Sequence, residues 1–268
     1  MAHGAARVYT LLGERHLGER SHYLNLGWWD GAASLDDAGD ALAEQVGLAA
    51  GMRAGDTVLD VGFGFGDQDE YWLRRFRPAR IVGLNVTPVH VEAARRRFPD
   101  PRLDFRLGSA TAMDARDASV DRVVALECAF HFPTREDFFR EAFRVLRPGG
   151  RIATADVLPR AGRHGSGARL FAAAARAFFQ MPTENWYGIE SYARRLEAAG
   201  FADADVRSVR ERVVPFAAAL RRLLRRPEGR ERFPALLRWA ALAMPDRWLD
   251  GIEYVLASAR KPGRPPVS

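Results

Sequence analysis

One cysteine, Cys128, and one lysine, Lys261, stand in a chain of 268 residues. A lone thiol excludes an intrachain disulfide and makes a cytoplasmic protein the expectation. No stretch of about 18 uncharged apolar residues occurs, so no membrane-spanning helix is expected. Near the start, Glu14 and Arg15 break the sequence before an apolar signal region forms, which predicts no secretory signal. No group of Cys, His, Asp and Glu has convincing metal-ligand spacing, and no metal is expected. Arginine stands where lysine is missing, and the 40 basic residues leave a net charge of +6. Heavy use of Arg and Ala over Lys and Ile is what a GC-rich bacterial genome writes, so part of the excess reflects coding bias. The charge leaves an acidic small molecule or a nucleic acid as admissible partners. No appended RNA-binding module is visible, and nucleic acid is not the expected partner. What is present is ordinary globular material, 47% apolar and 28% charged, enough for one good-sized core.

The middle of the chain alternates short apolar runs with helical patterns. Strands are expected at 57–63, 79–87, 103–109, 121–130 and 149–158, with helices near 68–76, 88–98 and 134–146. This alternation implies βαβ units, a parallel sheet, right-handed crossovers and helices on both faces. Residues 1–50 are expected to form a mainly helical N-terminal cap holding an aromatic loop, LNLGWWDG, at 24–31. Residues 51–160 form the α/β core. Residues 161–200 form a helical lid or substrate segment, opened by a Gly/Arg-rich linker and closed by a helix that stops at Gly200. Two strands, FADADVRSV and IEYVLASAR, lie within 201–260 around an Arg-rich helical insertion at 214–249, and 261–268 is a tail.

VLDVGFGFG places Gly62, Gly64 and Gly66 directly after a buried strand, with Asp60 two residues before the first glycine. Backbone that approaches a ligand at a strand-to-helix turn needs residues without Cβ, some at positive φ. The helix that follows offers free N–H groups and the positive end of its dipole. In open α/β sheets such ligands lie beyond the carboxyl ends of the strands, where strand order reverses. The spacing is not the dinucleotide G-x-G-x-x-G, because residue 67 is Asp67, and no G-K-S/T follows to make a P-loop.

DVGFGFG resembles motif I of the class I S-adenosylmethionine (SAM)-dependent methyltransferases. FFREAFRVLRPGGRIATADV at 138–157 resembles a second signature of that family. NLGWWD, ahead of the core, is similar to bacterial small-molecule methyltransferases that tailor antibiotics and other natural products. The resemblance covers residues 20–160 well. It implies a Rossmann-like, seven-stranded, mostly parallel sheet, its last strand antiparallel and set beside the fifth, with helices on both faces and a helical substrate cap. It implies SAM as cofactor, S-adenosylhomocysteine as product, no metal and a small-molecule substrate, with a homodimer an admissible assembly. By the same resemblance Asp60, Gly62, Gly64 and Gly66 lie against the methionine and ribose portions of SAM. Asn85, Val86, Ser109, Ala110 and Glu127 complete the cofactor set. The family's acid at the end of strand two is Asn85 here, which reaches a hydroxyl without charge. Its Gly-Asp-Ala after strand three is Gly108-Ser109-Ala110.

Methyl transfer from a sulfonium is an in-line displacement, so the protein chiefly aligns nucleophile, methyl carbon and sulfur. A hydroxyl nucleophile gains from a general base, often His. Similar natural-product methyltransferases carry a His in the short segment after strand four and an Asp at the end of strand five. These positions hold His131 and Asp156. A structural role stays open for each: His131 capping the turn before the helix at 134–146, Asp156 as a hydrogen-bonded strand end. Glu127 is expected to hold the loop rather than react, and Cys128 to be core. Aromatic residues outside the core suit a large, partly apolar substrate, or else fasten helices to the sheet. They are Tyr23, Trp28 and Trp29 before the core, Phe178, Phe179, Trp186 and Tyr187 after it, and Trp239 and Trp248 later. The run RRLLRRPEGRER at 221–232 is a solvated helix face or a partner for phosphate or carboxylate. The leading expectation is O-methylation of a secondary-metabolite hydroxyl. The alternatives are C-methylation of an electron-rich carbon such as that of a prenyl diphosphate, a SAM-binding cyclase or regulatory partner without methyl transfer, and RNA methylation.

Overall fold

Apolar residues alternate between the two faces of the central strands, and each face acquires its own core. Along β1 (Thr57–Val61), Val58 packs on one side, Leu59 and Val61 on the other. The computed structural model describes residues 18–160, 180–227 and 248–263, with Tyr9, Thr10, Gly13, Glu14, His16, Arg176 and Leu242 besides. The helix expected over 169–180, Phe178, Phe179, Trp239 and most of the 228–247 stretch lie outside the described residues, as does the tail beyond 263.

The further strands are β2 (Arg80–Asn85), β3 (Leu103–Leu107), β4 (Val120–Leu126), β5 (Leu146–Pro159), β6 (Ala202–Ser208) and β7 (Ile252–Arg260). They form one sheet in the order β3-β2-β1-β4-β5-β7-β6. β1 to β5 pair parallel, while β7 lies between β5 and β6, antiparallel to both. The helices are α1 (Leu35–Ala49), α2 (Asp67–Phe76), α3 (Pro88–Arg97), α4 (Arg135–Val145), α5 (Ile189–Ala198), α6 (Arg210–Val213) and α7 (Phe216–Arg225). The sheet is thus Rossmann-like, with strand order reversing between β1 and β4, where ligands of such sheets bind. β1 and β4 end sooner than the sequence suggests because the residues after them leave the ladder. Gly62 and Glu127 both take positive φ, +78° and +53°. No described helix is long and apolar enough to cross a membrane.

The N-terminal segment corrects one expectation. A mainly helical 1–50 is found at Leu35–Ala49 and at Tyr9 and Thr10, but 18–34 has no helix. Carboxylates from other elements satisfy its backbone instead. Asp36 of α1 accepts from the N–H groups of Glu19, Arg20 and Ser21 at 3.0, 3.1 and 2.9 Å. Asp67 of α2 accepts from His22 N at 3.0 Å, and Glu127 after β4 accepts from Leu26 N at 2.8 Å. Backbone donors held this way need no helical ladder. The segment is therefore drawn across the carboxyl ends of β1 and β4.

Candidate active site

β1 runs into a turn that glycine alone adopts without strain. Gly62, Gly64 and Gly66 have φ of +78°, +57° and +86°. Their surroundings differ. A Cβ at Gly62 would lie 2.6 Å from Cys128 Sγ, and one at Gly66 would lie 2.8 Å from Phe105 Cζ, but one at Gly64 would meet nothing within 4 Å. Two of the glycines therefore admit neighbouring protein, and Gly64 faces open space. Between them Phe63 packs on Phe105, and Phe65 on the ring of His90 at 4.3 Å between centroids.

Beneath the turn Asp60 is fully buried and accepts from Gln68 Nε2 at 2.8 Å. Asp69, in the first turn of α2, is equally buried, and its carboxyl lies close enough to that of Asp60 for the two to interact electrostatically. Burial pushes Asp60 up to about 7. Burial, and then the charge of Asp60, pushes Asp69 well above the usual carboxylate range. Asp67 nearby differs: Arg97 grips both its oxygens at 2.7 Å. Apart from their mutual contact, Asp60 Oδ1 and the Asp69 oxygens find no donor among the described residues. Both ring nitrogens of His90, Asn25 Oδ1 and His22 Nδ1 also lack a partner there.

After β4, Glu127 accepts from Tyr254 Oη at 2.6 Å as well as from Leu26 N, and burial raises it to about 8. The short 3-10 turn Ala129–His131 then sets His131 with its ring on Phe130 and its Nε2 3.2 Å from Tyr9 Oη. Burial lowers His131 to about 4, so the imidazole is neutral at pH 7. Asp156 at the end of β5 does not touch that ring. Its Oδ1 accepts from Phe130 N at 3.1 Å and Val157 N at 2.8 Å, and its Oδ2 from Arg135 Nε at 2.7 Å. Arg135 is fully buried and also donates to Asn185 O and Val157 O. A buried guanidinium requires a counter-charge, and Asp156 is it. Asp156 thereby holds the backbone beside His131 rather than the imidazole itself.

A family described as a methyltransferase domain matches residues 59–154. Erythromycin 3''-O-methyltransferase of Saccharopolyspora erythraea is 39% identical to this chain, over 97% of it and 90% of that protein. The chain belongs to the SAM-dependent methyltransferases. Methyltransferase GfsG of Streptomyces halstedii is 34% identical over 74% of the chain and 72% of that protein. Among solved structures, that of the cyclase SpnF superposes with a TM-score of 0.74 at 26% identity, covering 97% of this chain and 96% of that one. This is a class I methyltransferase of the natural-product type.

The methyltransferase's residues fit SAM. Gly64 leaves room against bare backbone, Asp60 would offer a carboxyl to a cation, and His90 and Asn25 hold polar atoms without a partner among the described residues. Asn85 Oδ1 is engaged by Thr87 N at 3.0 Å, an Asx turn, which leaves its NH2 group for a ribose hydroxyl. Val86 beside it is exposed. Ser109 Oγ lies 3.1 Å from Thr111 Oγ1, and Ala110 is buried next to it.

Two of the aromatic residues expected at the substrate serve packing. Tyr23 is buried over Gly39 and donates to Asp40 Oδ1 at 2.8 Å. Tyr187 lies between the guanidinium groups of Arg135 and Arg195, 5.1 and 4.2 Å from its ring centre. Both rings cover groups that folding buries, and the Tyr187 hydroxyl has no hydrogen-bond partner among the described residues. Trp28 lies under Arg212, Trp29 donates its Nε1 to Leu26 O at 2.8 Å, and Trp186 packs against the apolar core. Sequence reasoning missed Asp69, His90, Arg135 and Tyr9. GDQDE reads as an ordinary acidic helix start, Arg135 is one arginine among many, and nothing in the sequence pairs Tyr9 with His131.

Proposed function

We propose that this methyltransferase transfers a methyl group to a hydroxyl of an antibiotic-type natural product, with His131 as general base, in the cytoplasm. The observation that carries this reading is the contact of Tyr9 Oη with His131 Nε2 at 3.2 Å. A hydroxyl oxygen already sits where an acceptor hydroxyl would have to present its proton. The imidazole is neutral at physiological pH, so it can take that proton as the oxygen attacks. SAM supplies an electrophilic methyl carbon on a sulfur that leaves with the bonding electron pair. The chain's own part is alignment. The glycine turn fixes one end, the Ala129–His131 turn positions the base, and Asp156 and Arg135 hold that turn in place. The relative that acts on erythromycin matches nearly the whole chain, cap included, which supports an oxygen acceptor on a large natural product.

His131→Ala tests the reading. Methyl transfer to a hydroxyl acceptor should fall by about a hundredfold or more, while S-adenosylhomocysteine affinity stays near wild type. Unchanged turnover would remove His131 from the chemistry.

A further inference from the structure

The carboxyls of Asp60 and Asp69 form a buried pair for which the reaction above has no use. Gln68 Nε2 and the backbone N–H of Val61 donate to Asp60. The groups that face the pair bring it no cation. On α2, Asp67 is held by Arg97 from the end of α3 and by His22 N from the N-terminal segment. Across the turn, the Cys128 thiol donates to Val61 O at 2.9 Å. Neither carboxyl has an ion-pair partner among the described residues. Two carboxyls held in contact inside a protein keep a proton between them, because both cannot ionise at that distance. A second observation at the same turn points to a missing ligand. His90 is 2% exposed, its ring lies on Phe65, and neither of its nitrogens has a partner among the described residues.

We propose that Asp69 belongs to the cofactor site, sharing with Asp60 a proton that is released to solvent when the ammonium end of SAM binds at the glycine turn. A cation beside the pair favours its doubly ionised form, so the pair is a proton store that the cofactor empties. No covalent bond to carbon or sulfur changes. The proton leaves for the buffer, and cofactor affinity rises with pH. Asp69 is a positioning residue acting through Asp60. The inference rests on the assignment of SAM to this turn.

The test is calorimetric titration of the full chain with S-adenosylhomocysteine, which carries the same ammonium group, in phosphate and in Tris at pH 7. The expected result is a binding enthalpy that differs between the buffers by the release of up to one proton. Affinity should rise by up to about tenfold per pH unit below the pair's titration and level off above it. Asp69→Asn should still bind while losing both the buffer dependence and the pH slope. Equal enthalpies in the two buffers, or a slope that survives Asp69→Asn, would overturn the proposal. Absence of heat and of any thermal shift at millimolar ligand would instead overturn the placement of SAM. Should Asp69→Asn not fold, the wild-type buffer comparison still decides whether a proton leaves.

Discussion

Two buried polar clusters flank the turn that carries His131. In one, Arg135, Asp156 and Asn185 saturate each other: the guanidinium meets a carboxylate and two carbonyls, and Asn185 Nδ2 donates to Phe132 O at 2.7 Å. In the other, Asp60, Asp69 and His90 are as deeply buried and largely lack partners among the described residues. An unsatisfied buried polar group costs about 1–3 kcal/mol. A chain that keeps several together keeps them for something that completes them. The first cluster is scaffold, and the second is the one we propose a bound molecule completes.

The largest way to sharpen this contrast is Arg135→Met. It strands Asp156 without its counter-charge and should cost about 3–5 kcal/mol in urea denaturation. Asp69→Asn, which leaves Asp60 a hydrogen-bond donor, should stay within about 1 kcal/mol of wild type. An equal loss in both variants would erase the distinction. Next comes Gly64→Ala. Open space surrounds it, so stability should fall by the left-handed backbone term alone, about 1–2 kcal/mol. S-adenosylhomocysteine affinity should drop more than tenfold by calorimetry. Gly62→Ala, driven into Cys128, should lose more stability than Gly64→Ala. Ligand affinity untouched by Gly64→Ala would break the picture.

The buried histidines and the buried carboxyl pair also impose opposing pH slopes on stability. Burial lowers His22, His90 and His131 to about 4. Their contribution is complete above the unfolded value of 6.5 and is lost as pH falls through 4. Asp60, raised from 3.8 to about 7, works the other way: its contribution is complete at low pH and is lost as pH rises through 7. Asp69, raised well above the usual range, works in the same direction as Asp60, and Asp69→Asn removes its contribution, so the variant's Tm should climb more steeply than that of wild type between about pH 4 and 6.5. Parallel curves would show that the two do not oppose each other. The smallest effect is Tyr23→Phe, which forfeits the bond to Asp40, about 1 kcal/mol. Turnover should be unchanged in a steady-state assay, since that ring serves α1.

The sheet could be read from sequence because its signals are local. Strand runs, the glycine spacing after Asp60 and VLRPGG before β5 each lie within one short window. The final pair FADADVRSV and IEYVLASAR falls where β6 and β7 are found. The interior of the site was less legible because its decisive contacts join distant residues. Asp156 meets Arg135 across 21 positions, and Tyr9 meets His131 across 122. Only the loop at 24–31 was expected, and that the irregular path runs over all of 18–34 was hidden for the same reason. Its amides are held by acids that sit in α1, α2 and the end of β4, and composition suggests helix where those acids supply an alternative. Asp69 drew no reading from sequence because only the fold brings it near Asp60.

That tethering of 18–34 also bears on redesign. Asp36, Asp67 and Glu127 belong to α1, α2 and the end of β4, yet determine how the covering stretch of chain is laid. A chimera that imports a different N-terminal covering from a relative, to change which acceptor is taken, must import the matching acids at those three positions. Otherwise the foreign amides arrive without acceptors and the graft fails to seat, however well its aromatic residues suit the new acceptor.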